Sequence, residues 1–265
     1  MSRQRVAARR DALERLPARR DMHAGLWLDR YLAFQQRDAD SRPAIEEPAR
    51  DEPRAQLVRE VAAMDEPPAY TGFYQRWRAA LPATAQVGEA QARGRLAIGL
   101  GAESVLETAI ALHRTYGVPY LPGSALKGLA AAYARQRLGA EWAAESPAYQ
   151  TVFGTTTAAG YVTFFDALYL PGSGHDRRAL HVDVITVHHP DYYQQGRTAP
   201  ADWDSPTPVP FLSATGRYLV ALAAVPGAEA WVARTFAILA LALAELGIGA
   251  KTASGYGRME LTMEK

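Results

Sequence analysis

The chain has 265 residues, of which 48% are hydrophobic and 22% charged, a balance typical of globular proteins. The net charge of +1 excludes a uniformly basic surface, and the absence of cysteine excludes disulfides and thiolate chemistry. The longest apolar run, 236–244, is too short to cross a bilayer, and the arginine-rich start lacks the apolar core of a signal peptide. We therefore expect a cytoplasmic protein without a membrane partner.

The first 90 residues are predicted to form a helical extension with a Pro-rich linker. Apolar residues concentrated in 21–34 indicate a buried helix or an extended arm, and prolines among charged residues in 41–54 indicate the linker. A second apolar pattern has the spacing of one helix face, and its members are Tyr70, Phe73, Tyr74, Trp77 and Leu81. We expect this aromatic stripe to be core.

Residues 91–265 alternate between strand and helix patterns and are predicted to form a second domain. The predicted elements are a strand at 91–100, a helix at 124–137, a strand at 160–170, a strand at 215–225, a helix at 231–246 and a strand at 258–263. A polar insertion at 171–210, with one strand-like piece at 180–187, interrupts this order. The order predicts an α+β fold with a ferredoxin-like, RRM-like β-α-β-β-α-β core and a long insertion.

A first glycine-bearing motif opens the predicted helix at 124–137. Pro122 and Gly123 turn the chain, and Ser124 is expected to be the N-cap. Lys127 is expected in the first helical turn, where a cation is favourable if a phosphate occupies the helix N-terminus. Gly128 allows another backbone to approach closely. The order of residues excludes a Walker P-loop, and a plain capped helix with a solvated lysine stays open as the alternative.

A second glycine-bearing motif follows the last predicted helix. Its four glycines exceed what a helix C-cap requires, and they are Gly247, Gly249, Gly255 and Gly257. Bare backbone of this kind can direct N–H groups at phosphate oxygens. Lys251 and Arg258 add positive charge, and Ser254 adds a hydroxyl. A flexible loop between helix and strand is the alternative; a dinucleotide fold is not indicated.

Histidines crowd the insertion together with acidic residues, namely His175, His181, His188 and His189 with Asp183 and Asp191. These residue types bind metals, but their spacing fits no standard ligand set, so we expect neither a metal nor another cofactor. Tyr192 and Tyr193 are suited to stacking on RNA bases, and packed aromatic residues in a buried hinge stay open as the alternative. His113 is expected to be a hydrogen-bonded core histidine.

The two glycine motifs, within this order of elements, resemble the RAMP superfamily of CRISPR-associated RNA-binding proteins. Three stretches resemble more narrowly the sixth-subunit family of type III-B (Cmr) effector complexes, and they are 104–128, 183–193 and 247–257. The segment 24–32 also resembles the leading segment of that subunit. The resemblance covers most of 22–40 and 91–263, whereas 41–90 matches nothing known.

The resemblance implies a non-catalytic backbone subunit that holds guide RNA near its 3′ end and contacts target RNA and neighbouring subunits. The insertion would be a thumb that enters the guide–target duplex. Expected RNA-binding residues are Ser124, Lys127, Gly128, Gly247, Gly249, Lys251, Ser254, Gly255, Gly257, Arg258, Tyr192 and Tyr193. Two alternatives stay open: a RAMP endoribonuclease that processes guide RNA with His113 or an insertion histidine, and a purely structural interaction module.

Overall fold

The computed structural model describes residues 22–32, 52–106, 108–188, 199, 201 and 206–264. These residues form six α-helices: α1 (Ala24–Arg30), α2 (Glu52–Ala62), α3 (Pro68–Ala79), α4 (Gly123–Arg137), α5 (Pro147–Phe153) and α6 (Ala230–Glu245). They form eight strands: β1 (Gln86–Ala92), β2 (Tyr120–Leu121), β3 (Val162–Phe164), β4 (Ala167–Tyr169), β5 (Leu180–Val187), β6 (Thr207–Ala214), β7 (Arg217–Ala224) and β8 (Met259–Met263). The predicted linker at 41–54 falls largely outside the described residues.

The larger sheet is organised around β7, a run of apolar residues that is buried along nearly its whole length. β1 pairs with one edge of β7, and β3 and β4 pair with the other, all antiparallel. β8 lies beyond β1 and β2 lies beyond β4, which gives the order β2-β4-β7-β1-β8. Antiparallel strands packed with helices confirm the predicted α+β class.

The last helix supplies one side of the core. In α6 the fully buried residues Val232, Phe236, Leu239 and Leu243 follow the spacing of one helix face. This face packs against β7 and β8, and α4 packs beside it. Within the described part of the chain, no helix combines the length and the apolar character needed to cross a bilayer.

Helix α3 carries four members of the predicted aromatic stripe, whereas Leu81 lies beyond its end, and it joins the N-terminal part to the sheet. Tyr70 is fully buried, and its hydroxyl donates to the carbonyl oxygen of Tyr169 at 2.7 Å. Tyr74 is also buried, and Phe73 packs against the ring of Tyr116 with centroids 4.7 Å apart. Because a buried phenol needs a partner, this hydrogen bond fixes the position of α3 on β4.

The predicted insertion contains a separate two-stranded antiparallel sheet of β5 and β6. Its register runs from Leu180 opposite Ala214 to Val187 opposite Thr207, which confirms the strand predicted at 180–187. β6 extends beyond residue 210, the predicted end of the insertion. We call these two strands the insertion hairpin. Helix α2 packs on both of its strands, so a segment without sequence resemblance supports it.

Two predicted strands differ in the structure. The strand expected at 91–100 instead ends at Ala92, and beyond it only Leu96 forms an isolated bridge, to Ala214. The alternation of 96–98 is misleading because Leu96, Ala97 and Ile98 are all buried. The strand expected at 160–170 is two strands, β3 and β4, with Asp166 in the break between them.

Two glycines of α4 give opposite expectations for the same substitution. A Cβ on Gly123 would lie 2.2 Å from the carbonyl oxygen of Phe164, whereas one on Gly128 would meet no atom within 4 Å. Gly123→Ala should lower the free energy of unfolding by about 2 kcal/mol because the backbone must shift. Gly128→Ala should raise it by roughly 0.5–1 kcal/mol, the difference in helix propensity. Denaturant melts of both variants measure this, and an unchanged Gly123→Ala protein would contradict the close packing.

Candidate nucleic-acid interface

The N-terminus of α4 is capped by a residue that the sequence did not point to. Its N-cap is Pro122, which makes no side-chain capping bond, and Gly123 is the first helical residue. The N–H of Gly123 donates to Oδ1 of Asp166 at 2.7 Å. The prediction of Ser124 as N-cap is wrong, because the helix starts one residue earlier and Ser124 is an exposed residue inside its first turn.

The carboxylate of Asp166 also changes the electrostatics expected for Lys127. An anion of the protein itself already lies at the positive end of α4. Lys127 is the fifth helical residue, so the prediction that it lies in the first turn is wrong. The dipole effect falls off beyond the first turn, and no ion pair to Lys127 is formed by any residue that the structure describes. Lys127 therefore presents a positive charge close to an already capped helix.

The second motif forms a tight loop between α6 and β8, which we call the glycine loop (Gly247–Gly257). All four of its glycines have left-handed φ angles between +79° and +89°. A Cβ on Gly249 would lie 2.6 Å from the carbonyl oxygen of Ala97, and one on Gly257 would lie 2.1 Å from that of Ile248. The packing of the protein therefore requires these two glycines, whereas Gly255 faces open space.

Backbone N–H groups of the glycine loop are largely used within the protein. Ala250 donates to Ala97 at 2.8 Å, Gly257 donates to Arg95 at 2.9 Å, and Ile248 donates to Gly257 at 2.9 Å. These groups anchor the loop and do not point outward as a phosphate cradle. Lys251, which has a left-handed φ of 59°, is the cation at the exposed turn of the loop.

Ser254 and Arg258 differ in their exposure and in their hydrogen bonding to the protein. Ser254 is exposed beside Lys251 at the end of the short 3-10 turn. The Nη1 group of Arg258 lies 3.4 Å from the carbonyl oxygen of Ala244, near the C-terminus of α6, where a cation is favourable. Ser254 is therefore the exposed member, and Lys251 and Arg258 are both half-buried, with the Arg258 side chain engaged by the protein.

Tyr256 joins the glycine loop to the insertion hairpin. Its hydroxyl donates to Oδ2 of Asp183 at 3.1 Å, and its ring centroid lies 6.1 Å from that of the fully buried Phe211. Burial, reinforced by the Asp183 carboxylate, raises the pKa of Tyr256, so the phenol stays a donor at neutral pH. By contrast, no hydrogen bond joins the glycine loop to Ser124, Lys127 or Gly128 among the residues described.

The histidines that the structure describes are held by the protein in different ways. Nε2 of His181 lies 3.1 Å from Oγ1 of Thr215, and burial lowers the pKa of this histidine. His113 accepts the N–H of Thr115 at Nδ1 and packs on Phe73, and burial lowers its pKa too. Both histidines are therefore predominantly neutral near pH 7.

The remaining candidate residues are exposed or outside the described residues. His175 is exposed and lies 3.1 Å from the carboxylate of Asp176. Within the described ranges no group of three or more His, Cys, Asp or Glu residues is arranged to hold a metal. Tyr192, Tyr193, His189 and Asp191 lie outside the described residues, so their predicted roles stay predictions.

Comparison with known proteins identifies the family. The family model of the RAMP superfamily matches residues 89–260, and the chain belongs to that superfamily. It is similar to the CRISPR system Cmr subunit Cmr6 of Pyrococcus furiosus, with 30% identity in an alignment that covers 72% of each chain. It also shares its fold with a chain in a cryo-EM structure of the type III-B Cmr-beta complex bound to cognate target RNA, with a TM-score of 0.59 and 23% identity over 81% of this chain and 74% of that one.

A double-mutant cycle tests the contact between the glycine loop and the insertion hairpin. Tyr256→Phe and Asp183→Ala should show a coupling of about 1 kcal/mol in the free energy of unfolding, because each removes one side of the same hydrogen bond. The matched control pairs Tyr256→Phe with Asp176→Ala, whose side chain is 78% exposed elsewhere in the insertion. That pair should be additive within about 0.5 kcal/mol. Additivity in both cycles would contradict the contact.

Proposed function

We propose that this protein is a non-catalytic backbone subunit of a type III-B CRISPR ribonucleoprotein, which binds guide RNA near its 3′ end and supports the binding of target RNA. The observation that carries the proposal is the 30% identity to a Cmr6 subunit over 72% of both chains. Neighbouring backbone subunits and both RNA strands are the partners that follow from this role. The type III-B complex with the related fold was itself bound to target RNA, which supports the proposal.

The order of elements supports a ferredoxin-like core for this role. With β2, α5 and the insertion hairpin set aside, the remaining elements after α3 have the order β-α-β-β-α-β. They are β1, α4, the pair β3 and β4, β7, α6 and β8. Their spatial order places β7 and β1 in the centre, with β4 and β8 outside them. Because β1 begins at Gln86, we place the boundary between extension and RNA-binding domain near residue 85 instead of residue 91.

The proposed RNA contacts are electrostatic and largely independent of sequence. Lys251 and Ser254 lie at the exposed turn of the glycine loop, and Lys127 and Gly128 lie on α4. Lys127 and Lys251 have no ion-pair partner in the described ranges, so both are available to phosphate groups. Contacts of this kind position a nucleic acid and make its affinity depend on salt.

The states of His113 and His181 favour a binding role over a nuclease role for these two histidines. A histidine that exchanges protons with RNA has to reach the ribose or the phosphate. His113 is packed among aromatic rings and accepts a backbone N–H, and His181 is hydrogen-bonded to Thr215 and Arg178. Both rings are thus engaged within the protein.

Incubation of the purified full chain with guide-repeat RNA in the absence of metal tests the proposal. We expect a shift of the RNA in a native gel, because phosphate contacts give affinity, and no shortened products on a denaturing gel. Metal-independent cleavage products would favour a guide-processing endoribonuclease. Absence of both shift and products would favour a purely structural module.

A charge deletion in the glycine loop gives a quantitative expectation. Lys251→Ala should weaken RNA binding by roughly five-fold and reduce the slope of log affinity against log salt by about one, because one phosphate contact is lost. Its matched control is Arg234→Ala, which removes one exposed positive charge near the opposite end of α6. Fluorescence anisotropy at several salt concentrations measures both. Equal effects of the two variants would exclude a specific role for Lys251.

A further inference from the structure

Directly after β1, three residues interrupt the pairing of the chain with the segment that leads into β7 in the larger sheet. The N–H of Ala92 donates to Gly216 at 3.0 Å, and Leu96 exchanges two hydrogen bonds of 2.8 Å with Ala214. Between these pairs the segment Arg93–Arg95 is opposed only by Thr215. Extra residues of this kind form a β-bulge, a device that re-aims side chains and occurs often beside functional sites. We call Arg93–Arg95 the arginine bulge.

The arginine bulge separates two surfaces. On the β8 side its backbone bonds to the glycine loop and its neighbour: Arg93 donates to Arg258, and Arg95 accepts from Gly257, both at 2.9 Å. On the β7 side it forms one wall of a groove of about 320 Å³. The opposite wall is formed by Ser173–His175 and Thr215–Gly216. The groove is therefore distinct from the glycine loop.

The lining of the groove is positive. Arg93 and Arg95 supply the positive charge, beside the polar side chains of Ser173, His175 and Thr215, and none of the described lining residues is acidic. The ion pair of Arg93 is weak, since it spans 3.7 Å to an exposed carboxylate. Arg95 donates to Oγ of Ser213 at 3.2 Å and has no ion pair within the described ranges. These features favour an anionic ligand.

The opposite wall is held in a fixed shape. A Cβ on Gly174 would lie 1.9 Å from the carbonyl oxygen of Arg178, and one on Gly216 would lie 2.6 Å from the ring of Tyr169. Asp176 and Arg177, which follow His175 in the chain, both have left-handed φ angles, 52° and 60°. Two successive non-glycine residues in this region are costly, and such strain concentrates at ligand sites.

Gly94, at the centre of the bulge, is a glycine that packing does not require. A Cβ there would meet no atom within 4 Å, and its φ lies outside the left-handed region. The protein alone would accept a larger residue at this exposed position. A bare backbone between two arginines instead permits the close approach of a ligand to the main chain.

We propose that this groove binds one nucleotide of single-stranded RNA, with its phosphate against the arginine bulge. The volume of the groove is at the lower end of the range for small-molecule sites, about 300–1,000 Å³. The imidazole of His175, whose side chain is 70% exposed, offers a ring on which a base can stack. The proposal rests on the RNA-binding function proposed above and adds a site outside the two glycine motifs.

The test uses the purified full chain and a fluorescent single-stranded RNA of about 20 nucleotides. Gly94→Val should leave the melting temperature unchanged and weaken RNA binding at least ten-fold, because the new side chain fills the approach to the backbone. Arg95→Gln should weaken it about five-fold and reduce the salt slope by about one. The matched control is Gly101→Val, since Gly101 is also exposed, with no atom within 4 Å of a Cβ and an ordinary φ.

The outcomes separate this site from the proposed function. A parent protein that does not bind the RNA would overturn both. RNA binding that is weakened in Lys251→Ala but unchanged in Gly94→Val and Arg95→Gln would overturn the groove site alone. If the groove variants bind RNA normally but fail to associate with neighbouring subunits, the groove binds protein and the proposal is also wrong.

Discussion

The segment from Ala92 to Ile98 is bonded on both of its edges, and the arrangement of the candidate interface depends on this. On one edge its backbone pairs with Ala214 and Gly216, where the insertion hairpin turns into β7. On the other edge it bonds to Ala250 and Gly257 of the glycine loop. Because a buried main chain must satisfy its polar groups, these hydrogen bonds fix the positions of the insertion hairpin, the larger sheet and the glycine loop relative to one another.

These fixed positions explain why packing within the protein requires glycines in the glycine loop. Gly249 and Gly257 are required because neighbouring backbone approaches within the space of a Cβ. The same close approach engages backbone N–H groups of the loop in hydrogen bonds within the protein, so these groups do not bind an anion. The positive charge at the exposed turn of the loop comes from a side chain, that of the half-buried Lys251. A loop anchored in this way presents a cation at low entropic cost to binding.

The N-terminal helices α1, α2 and α3 pack against the rest of the fold. Nε1 of Trp27 donates to Glu60 at 3.0 Å, which joins α1 to α2, and α2 supports the insertion hairpin. The carboxylate of Glu66 accepts the N–H of Gly172, where the insertion begins. Burial raises the pKa of Glu66, and this backbone hydrogen bond opposes the rise. The insertion hairpin is thus supported by contacts with the N-terminal helices as well as with the larger sheet.

The sequence by itself determined the α+β class, the helix at α3, the strand at β5 and the membership of the RAMP superfamily. These depend on local periodicity and on motifs that are contiguous in the chain. Only the tertiary structure decided that Asp166 caps α4, because the two residues of this hydrogen bond are 43 positions apart. It likewise decided that Arg93–Arg95 form a bulge, since a bulge is defined by the partner strand and not by its own residues. The alternating residues around Leu96 have a strand-like sequence pattern. Only the hydrogen-bond partners on both edges of this segment show that it is not a regular strand.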